Sequence, residues 1–196
     1  MLTEQDILAL CDRYERYLLP IEAYILRQRY NGRVEKSTYT VGREMGLSDE
    51  TIRLIENRAL ALLAEYIQAE STGQAIYPRR VAKAFRQPTA RLICQGKLQA
   101  VSINWRLVHR GELLIRATIP GCPGALIGRA ILEDCRGRGP KHHLREPSTL
   151  YFTRAEYFPK PIPCKYGSSS LFYIDPATAQ QLPPRYEYRI TVFTHH

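Results

Sequence analysis

The chain is poor in the residues that build disulfide frameworks and in the runs that cross membranes. Five cysteines occur in 196 residues, at Cys11, Cys94, Cys122, Cys135 and Cys164. The number is odd, the spacing irregular, and no C-x-x-C pair is present, so reduced thiols in a cytoplasmic protein are expected rather than cross-links. The same spacings, taken with His142 and His143, match no zinc-ligand pattern, and no metal or other cofactor is expected. No apolar stretch approaches the ~18 residues that span a bilayer. The first ten residues hold Glu4 and Asp6 without an apolar core, which argues against a signal peptide. There is a single tryptophan, Trp105, against thirteen tyrosines.

Acidic residues are scarce in one half only. Residues 1–75 carry 9 Lys+Arg against 12 Asp+Glu, a net of −3, whereas residues 76–196 carry 19 against 7, a net of +12. A basic excess confined to one half is the electrostatic footprint of a polyanionic partner, most often nucleic acid. With 44% hydrophobic residues, the chain is long enough for two small domains. Ser71 to Arg80 has linker composition, so the expected division is 1–72, a linker at 73–80, and 81–196.

The first half reads as helical. Ile7, Cys11, Tyr14 and Leu18 are spaced by four, three and four, one stripe of an amphipathic helix. Leu19-Pro20 starts a second helix with Ile25, Leu26 and Tyr30 inward, and Asn31-Gly32 is expected to stop it with a left-handed cap. A short helix from Tyr39 to Met45 follows. Gly46 then turns the chain, Ser48 caps the next helix, and Ile52, Ile55, Ala59, Leu62 and Tyr66 form its expected buried stripe. A short helix, a glycine turn and a longer capped helix make a helix-turn-helix, whose second helix lies in the DNA major groove.

The second half alternates apolar and basic segments. Pro88 opens a helix of about two turns that Gly96 ends. Val101, Ile103 and Trp105 alternate with polar residues in a strand, Arg110-Gly111 is expected as a turn, and Leu113–Ile119 and Leu126–Leu132 are apolar strands. Pro120 to Gly124 between them is expected to stay out of any strand. Leu150–Phe152, Leu171–Ile174 and Tyr186–Phe193 complete the strands. Such short strands hide their edges by closing, so a compact barrel is expected. Arg136-Gly137-Arg138-Gly139-Pro140-Lys141-His142-His143-Leu144-Arg145 places four permanent cations in a Gly/Pro loop able to follow a phosphate backbone. Tyr151, Tyr157, Tyr166 and Tyr186, with Trp105, are candidates for stacking on unpaired bases.

Both halves resemble known families. Pro20, Glu22, Ile25-Leu26, Arg29-Tyr30, then Val41 through Ser48, with Glu50, Ile52-Arg53, Ile55-Glu56, Arg58-Ala59-Leu60 and Leu63, look like region four of the primary bacterial sigma factors, over about Leu19 to Ala64. The resemblance implies DNA contacts from Ser48, Glu50, Arg53 and Arg58, and RNA polymerase as a possible partner. Asp49 and Leu54 stand where that family has a base-reading Arg and often Gln. Arg86-Gln87-Pro88, Ala90, Leu92-Ile93, Gly96-Lys97, Trp105, Arg110-Gly111, Leu113 to Ala117, Gly128 and Leu132 to Cys135 resemble the ASCH family of PUA-like barrels. Pro161 to Lys165, Gly167 and Leu171-Phe172 extend that resemblance, which covers roughly Phe85 to Ile174. It implies a pocketed barrel handling RNA or modified nucleosides. Val101 and Ile103 replace a Glu and an Arg that face the pocket in that family, which weighs against catalysis.

The expected fold class is therefore α+β: an all-helical helix-turn-helix domain followed by a PUA-like barrel with a short helix. The expected function is a nucleic-acid-binding accessory transcription regulator, with no membrane partner. Its barrel contacts are expected from Lys97, Asn104, Trp105, Arg106, Arg110, Arg136, Arg138, Lys141, Arg145 and Lys165. The alternative is an ASCH-type hydrolase or ribonuclease aimed by the helical domain, which would place Lys97 or Lys165 beside Glu133 or Asp134.

Overall fold

The computed structural model describes residues 3–31, 36–104, 107, 109–137, 148–164, 171–188 and 190, with backbone alone at 134–137. The chain divides into two compact units, Met1–Pro78 and Arg79–Tyr188. Among the described residues they hold six helices and one six-stranded sheet, a mixed α+β architecture. No helix among the described residues is long and apolar enough to cross a membrane.

The first unit consists of α1 (Glu4–Arg13), α2 (Pro20–Arg29), α3 (Thr38–Met45) and α4 (Asp49–Ser71). Thr3 and Asp6 cap α1 reciprocally, and Ile7, Cys11, Tyr14 and Leu18 are buried, although Tyr14 and Leu18 lie beyond the last helical turn. Helix α2 does not end in a left-handed residue. Its cap is Tyr30 at φ −114°, with the Tyr30 N–H still donating to Leu26 at 2.9 Å, so helical bonding alone carries the chain to the end. Gly32 lies outside the described residues.

Ser37 and Ser48 accept the backbone N–H of Thr40 and Thr51, each at 3.1 Å, and so open α3 and α4. Between them Gly46 adopts φ +61°, and the Leu47 N–H closes back on the Gly42 carbonyl at 2.8 Å. Gly42 is the contact point of the two helices, because a Cβ there would sit 2.7 Å from the Leu47 carbonyl oxygen. The buried stripe of α4 is Ile52, Glu56, Ala59, Leu63 and Tyr66 rather than the one expected with Ile55 and Leu62. The helix is rotated so that Glu56 meets Arg29 of α2 at 3.1 Å, an inward carboxylate that an apolar-stripe reading passes over.

The second unit runs β1 (Val81–Ala84), α5 (Gln87–Cys94), β2 (Ala100–Ile103), β3 (Gly111–Ile119), β4 (Cys122–Gly137), β5 (Ser148–Pro163), β6 (Leu171–Tyr173) and α6 (Pro176–Ala179). The strand order is β2-β5-β4-β3-β1-β6, antiparallel except for β1 against β3. Among the described residues no ladder joins β2 to β6. One face carries a core of Ala82, Leu114, Leu126, Phe158, Ile162, Cys164, Phe172 and Ile174. On the other, α5 packs so tightly that a side chain at Gly128 would overlap the Glu156 carbonyl and crowd the Cys94 thiol.

Three expectations need correcting. Arg110-Gly111 is not a hairpin turn, because β2 pairs with β5 instead of its sequence neighbour β3. Cys122, Pro123 and Gly124 do enter a strand: Gly121 at φ +76° makes the turn, and the register slip between Ala117 and Ile119 accommodates a proline at the start of β4. Tyr186 to Tyr188 and Ile190 form no strand. The Tyr186 N–H donates to a carboxylate instead of a neighbouring strand.

Strand β5 carries one residue more than β4 opposite it, since Ile131 pairs with Thr153 but Arg129 pairs with Glu156. A bulge absorbs the extra residue and sets Glu156, rather than Ala155, across from Arg129. Within it Arg154 is held at φ +46°, the one non-glycine described residue with positive φ. Such a conformation costs roughly 1 kcal/mol relative to glycine. Arg154→Gly is expected to raise the denaturant midpoint by an amount equivalent to that figure with an unchanged slope; a lowered midpoint would show that the bulge is unstrained.

Candidate functional site: a charged row across the sheet

Four neighbouring positions, at β5, β4, β3 and the residue before β1, each place one charged side chain on the same sheet face. In spatial order they are Glu156, Arg129, Glu112 and Arg80, alternating in sign. Strand pairing explains the alignment: Arg129 stands opposite Glu156 and Leu114, Leu114 stands opposite Ala82, and Glu112 and Arg80 lie two residues before Leu114 and Ala82 on that face. Arg80, Glu112 and Arg129 are buried.

The row is continuous. Arg80 Nη2 lies 2.7 Å from Glu112 Oε2, Arg129 Nη1 lies 3.1 Å from Glu112 Oε1, and Arg129 Nη2 lies 2.6 Å from Glu156 Oε1. Burial weighs against both guanidinium charges. At Arg80 it outweighs Glu112 and draws the pKa down, whereas at Arg129 the bonds to Glu156 and Glu112 prevail and the pKa rises.

The chain's own segment 183–188 covers the row. The carbonyls of Pro183 and Pro184 accept from Arg80 Nη1, at 2.7 Å, and from Arg129 Nη1. The Tyr186 N–H donates to Glu112 Oε1 at 3.1 Å, its hydroxyl bonds Glu156, and its ring lies over the Arg129 guanidinium with Cζ 3.8 Å from the centroid. Beside the row, His109 is fully buried with Nε2 2.8 Å from the Glu112 carbonyl. That acceptor fixes the proton on Nε2 and leaves Nδ1 without a partner, and burial pulls the imidazole down to about 4. Lys83, on the opposite face of β1, is also buried and falls to about 8 for the same reason, with Nζ 5.4 Å from the Phe85 ring centroid.

Of these residues, Tyr186 alone was among the expected contacts, as a stacking aromatic; Arg80, Lys83, His109, Glu112, Arg129 and Glu156 were not. The hint available in the sequence was a charged residue inside an otherwise apolar strand, as in Gly111-Glu112-Leu113-Leu114-Ile115 and Leu126-Ile127-Gly128-Arg129-Ala130-Ile131. Of the expected barrel contacts, Lys97 and Asn104 are exposed, at the end of α5 and of β2. Arg110 is half-buried and donates to the carbonyls of Leu107 and His109 at 3.3 and 2.8 Å. Trp105, Arg106, Arg138, Lys141, Arg145 and Lys165 lie outside the described residues, as does the side chain of Arg136. Tyr151 and Tyr157 are exposed, whereas Tyr186 is committed to the row. Tyr166 also falls outside the described residues. Glu133 is exposed and accepts from Thr153 Oγ1 at 2.8 Å. Arg86, Arg91 and Lys97 are exposed around α5, and a shallow depression of about 350 Å³ there is lined by Gln87, Pro88, Arg91, Leu92 and Gln95. Among the described residues, no three His, Cys, Asp or Glu side chains gather as a metal site would require.

In the helical unit, Glu50, Arg53, Leu54, Asn57 and Arg58 form the exposed face of the first turns of α4. Arg53 ion-pairs with Asp49 at 2.8 Å, and Asp49 also accepts from Thr38 of α3. The Ser48 hydroxyl is engaged in capping, bonded to the N–H and hydroxyl of Thr51.

No family model and no curated protein matches the chain. Among solved structures, the chain is similar to ASCH from Zymomonas mobilis, at 15% identity over 52% of this chain and 92% of that one, with a TM-score of 0.42. A tyrosine-to-phenylalanine mutant of the same protein gives 14% identity over 52% and 94%, TM-score 0.42, and a serine-to-alanine mutant 15% over 52% and 92%, TM-score 0.41. These structural neighbours are ASCH proteins, and the likeness falls on the C-terminal half of this chain.

Proposed function

We propose that the chain binds nucleic acid and acts as an accessory transcription regulator, its helical unit engaging duplex DNA or RNA polymerase and its basic unit engaging RNA or single strands. The observation that carries this reading is charge. Arg80, Lys83, Arg129 and Glu112 are inside, yet residues 76–196 fall only from a net of +12 to +10 when those four are set aside. Such an excess favours a phosphate backbone as partner.

The α3–α4 pair supports a helix-turn-helix. Gly42 permits close approach, Gly46 makes the turn, Ser48 caps the second helix, and that helix leaves Glu50, Arg53, Leu54, Asn57 and Arg58 outward. Those side chains suit base edges: a carboxylate for a cytosine amino group, an amide for adenine, guanidinium for guanine or phosphate, and an apolar tip for a thymine methyl. The second reading is an ASCH-type hydrolase or ribonuclease aimed by the helical unit, which would need Lys97 or Lys165 beside Glu133 or Asp134. Incubation with RNA and analysis for cleavage tests it.

Salt-titrated binding of the full chain to duplex DNA, single-stranded DNA and RNA tests the main reading. Arg53→Ala with Arg58→Ala is expected to reduce the salt slope on duplex DNA by about 2. Replacing Arg136, Arg138, Lys141 and Arg145 by alanine is expected to flatten the slope on RNA or single strands. Unchanged slopes in both variants would remove these surfaces from any interface.

A further inference from the structure

Four charges side by side across neighbouring strands, three of them buried, are more than the fold requires, because well-packed apolar residues in such a row are often as stabilising. What covers them is also unusual. Pro183 and Pro184 have no N–H to give a strand, and segment 183–188 joins no ladder. The segment meets the row through two carbonyl oxygens, one N–H, one hydroxyl and one aromatic ring.

Each of those contacts has a counterpart in a nucleotide. Arg80 and Arg129 present guanidinium N–H groups to neutral carbonyls, where anionic phosphate oxygens make stronger, charge-assisted bonds. The Tyr186 ring lies on Arg129 as an unpaired base stacks on an arginine plane. Its N–H and hydroxyl satisfy Glu112 and Glu156, acceptors that suit the amino and imino edge of a base. The segment also leaves donors and acceptors unmet: Arg80 Nε and His109 Nδ1, both buried, have no hydrogen-bond partner.

We infer that segment 183–188 is an internal stand-in for one nucleotide of a single-stranded nucleic acid, covering a binding site built from Arg80, Glu112, Arg129 and Glu156, and that an incoming strand displaces it. The inference rests on the nucleic-acid reading above and deepens it by naming where the strand binds. Covered and open forms exchange, and the covered fraction lowers apparent affinity in proportion.

The test uses hydrogen exchange of the unaltered chain with a mixed-sequence RNA oligonucleotide, with the single-stranded DNA of the corresponding sequence and with duplex DNA, alongside binding measured by anisotropy. The Tyr186 amide, bonded to Glu112, is expected to exchange slowly in the free protein, and binding of a single strand is expected to speed its exchange by about tenfold or more. Tyr186→Ala, which loosens the cover, is expected to bind the single strand about tenfold more tightly, and Tyr186→Phe to fall between. The arm that gives the larger acceleration identifies RNA or DNA as the source. A strand that binds while Tyr186 stays equally or better protected overturns the inference and leaves the nucleic-acid reading standing, as does weaker binding by Tyr186→Ala. No binding by either chain to any oligonucleotide removes both. Exchange in the unaltered protein decides the matter should Tyr186→Ala fail to fold.

Discussion

Glu112→Ala is expected to lower unfolding stability by about 3–5 kcal/mol at neutral pH, the cost of leaving buried charge uncompensated. Among the described residues, Glu112 is the one carboxylate shared by Arg80 and Arg129, at 2.7 and 3.1 Å, and it also accepts the Tyr186 N–H. Without it, Arg80 loses its only ion pair in the row, Arg129 retains Glu156 alone, and a backbone donor loses its acceptor. Glu112→Gln keeps a carbonyl oxygen and the side-chain volume, so it is expected to cost less than alanine while still leaving net positive charge inside. Denaturant unfolding of the three proteins measures this directly. A loss below about 1 kcal/mol for Glu112→Ala would mean that water reaches the arginines and that the row is not an interior feature.

The second large effect is acid sensitivity from His109. In the unfolded chain its imidazole takes a proton near 6.5; in the folded chain it does so only near 4. Between those values the unfolded state binds more protons than the folded state, so stability is fully present above about pH 6.5 and is lost as the pH falls toward 4. A difference of that size corresponds to about 3 kcal/mol. The physical source is specific. Protonation would place an N–H on Nδ1, buried without an acceptor, beside the positive charges of Arg110 and Arg185. His109→Gln is expected to flatten the pH dependence between 6.5 and 4 relative to the unaltered chain. Equal slopes in the two proteins would show that His109 is already protonated in the folded state or open to water.

Local structure was largely legible in the sequence, and the reasons are local. Ser48 followed by Ile52 and Ala59, and Gly46 before them, carry cap, period and turn within a dozen residues, and α3 and α4 form where that grammar puts them. Pro88 and Gly96 likewise bracket α5. What could not be read is everything decided by pairing across distance. Arg110-Gly111 has turn composition, yet β2 finds its partner some fifty residues away in β5. Tyr186, Tyr188 and Ile190 alternate like a strand, yet Tyr186 is held by Glu112 and Arg129. The charged row could be hinted at by Glu112 and Arg129 inside apolar strands but not assembled, for the same reason: Arg80, Glu112, Arg129 and Glu156 are separated by 32, 17 and 27 positions, and only strand order brings them side by side. The basic excess, which did stand out, conflated surface with interior, since Arg80, Lys83 and Arg129 contribute nothing to the exterior.

The two outermost strands, β2 and β6, span only four and three residues. An unpaired rim that short gives a second molecule few backbone groups to zip onto. Of the longest strands, β4 lies between β3 and β5, whereas β2 covers only Ser148–Tyr151 of β5; the rest of that edge carries Arg154 at positive φ and Pro159, Pro161 and Pro163, which have no N–H to offer a new strand. The apolar content of those strands is thereby kept from templating growth into aggregates, and the chain carries a strongly β-forming interior with little opportunity for edge-to-edge stacking.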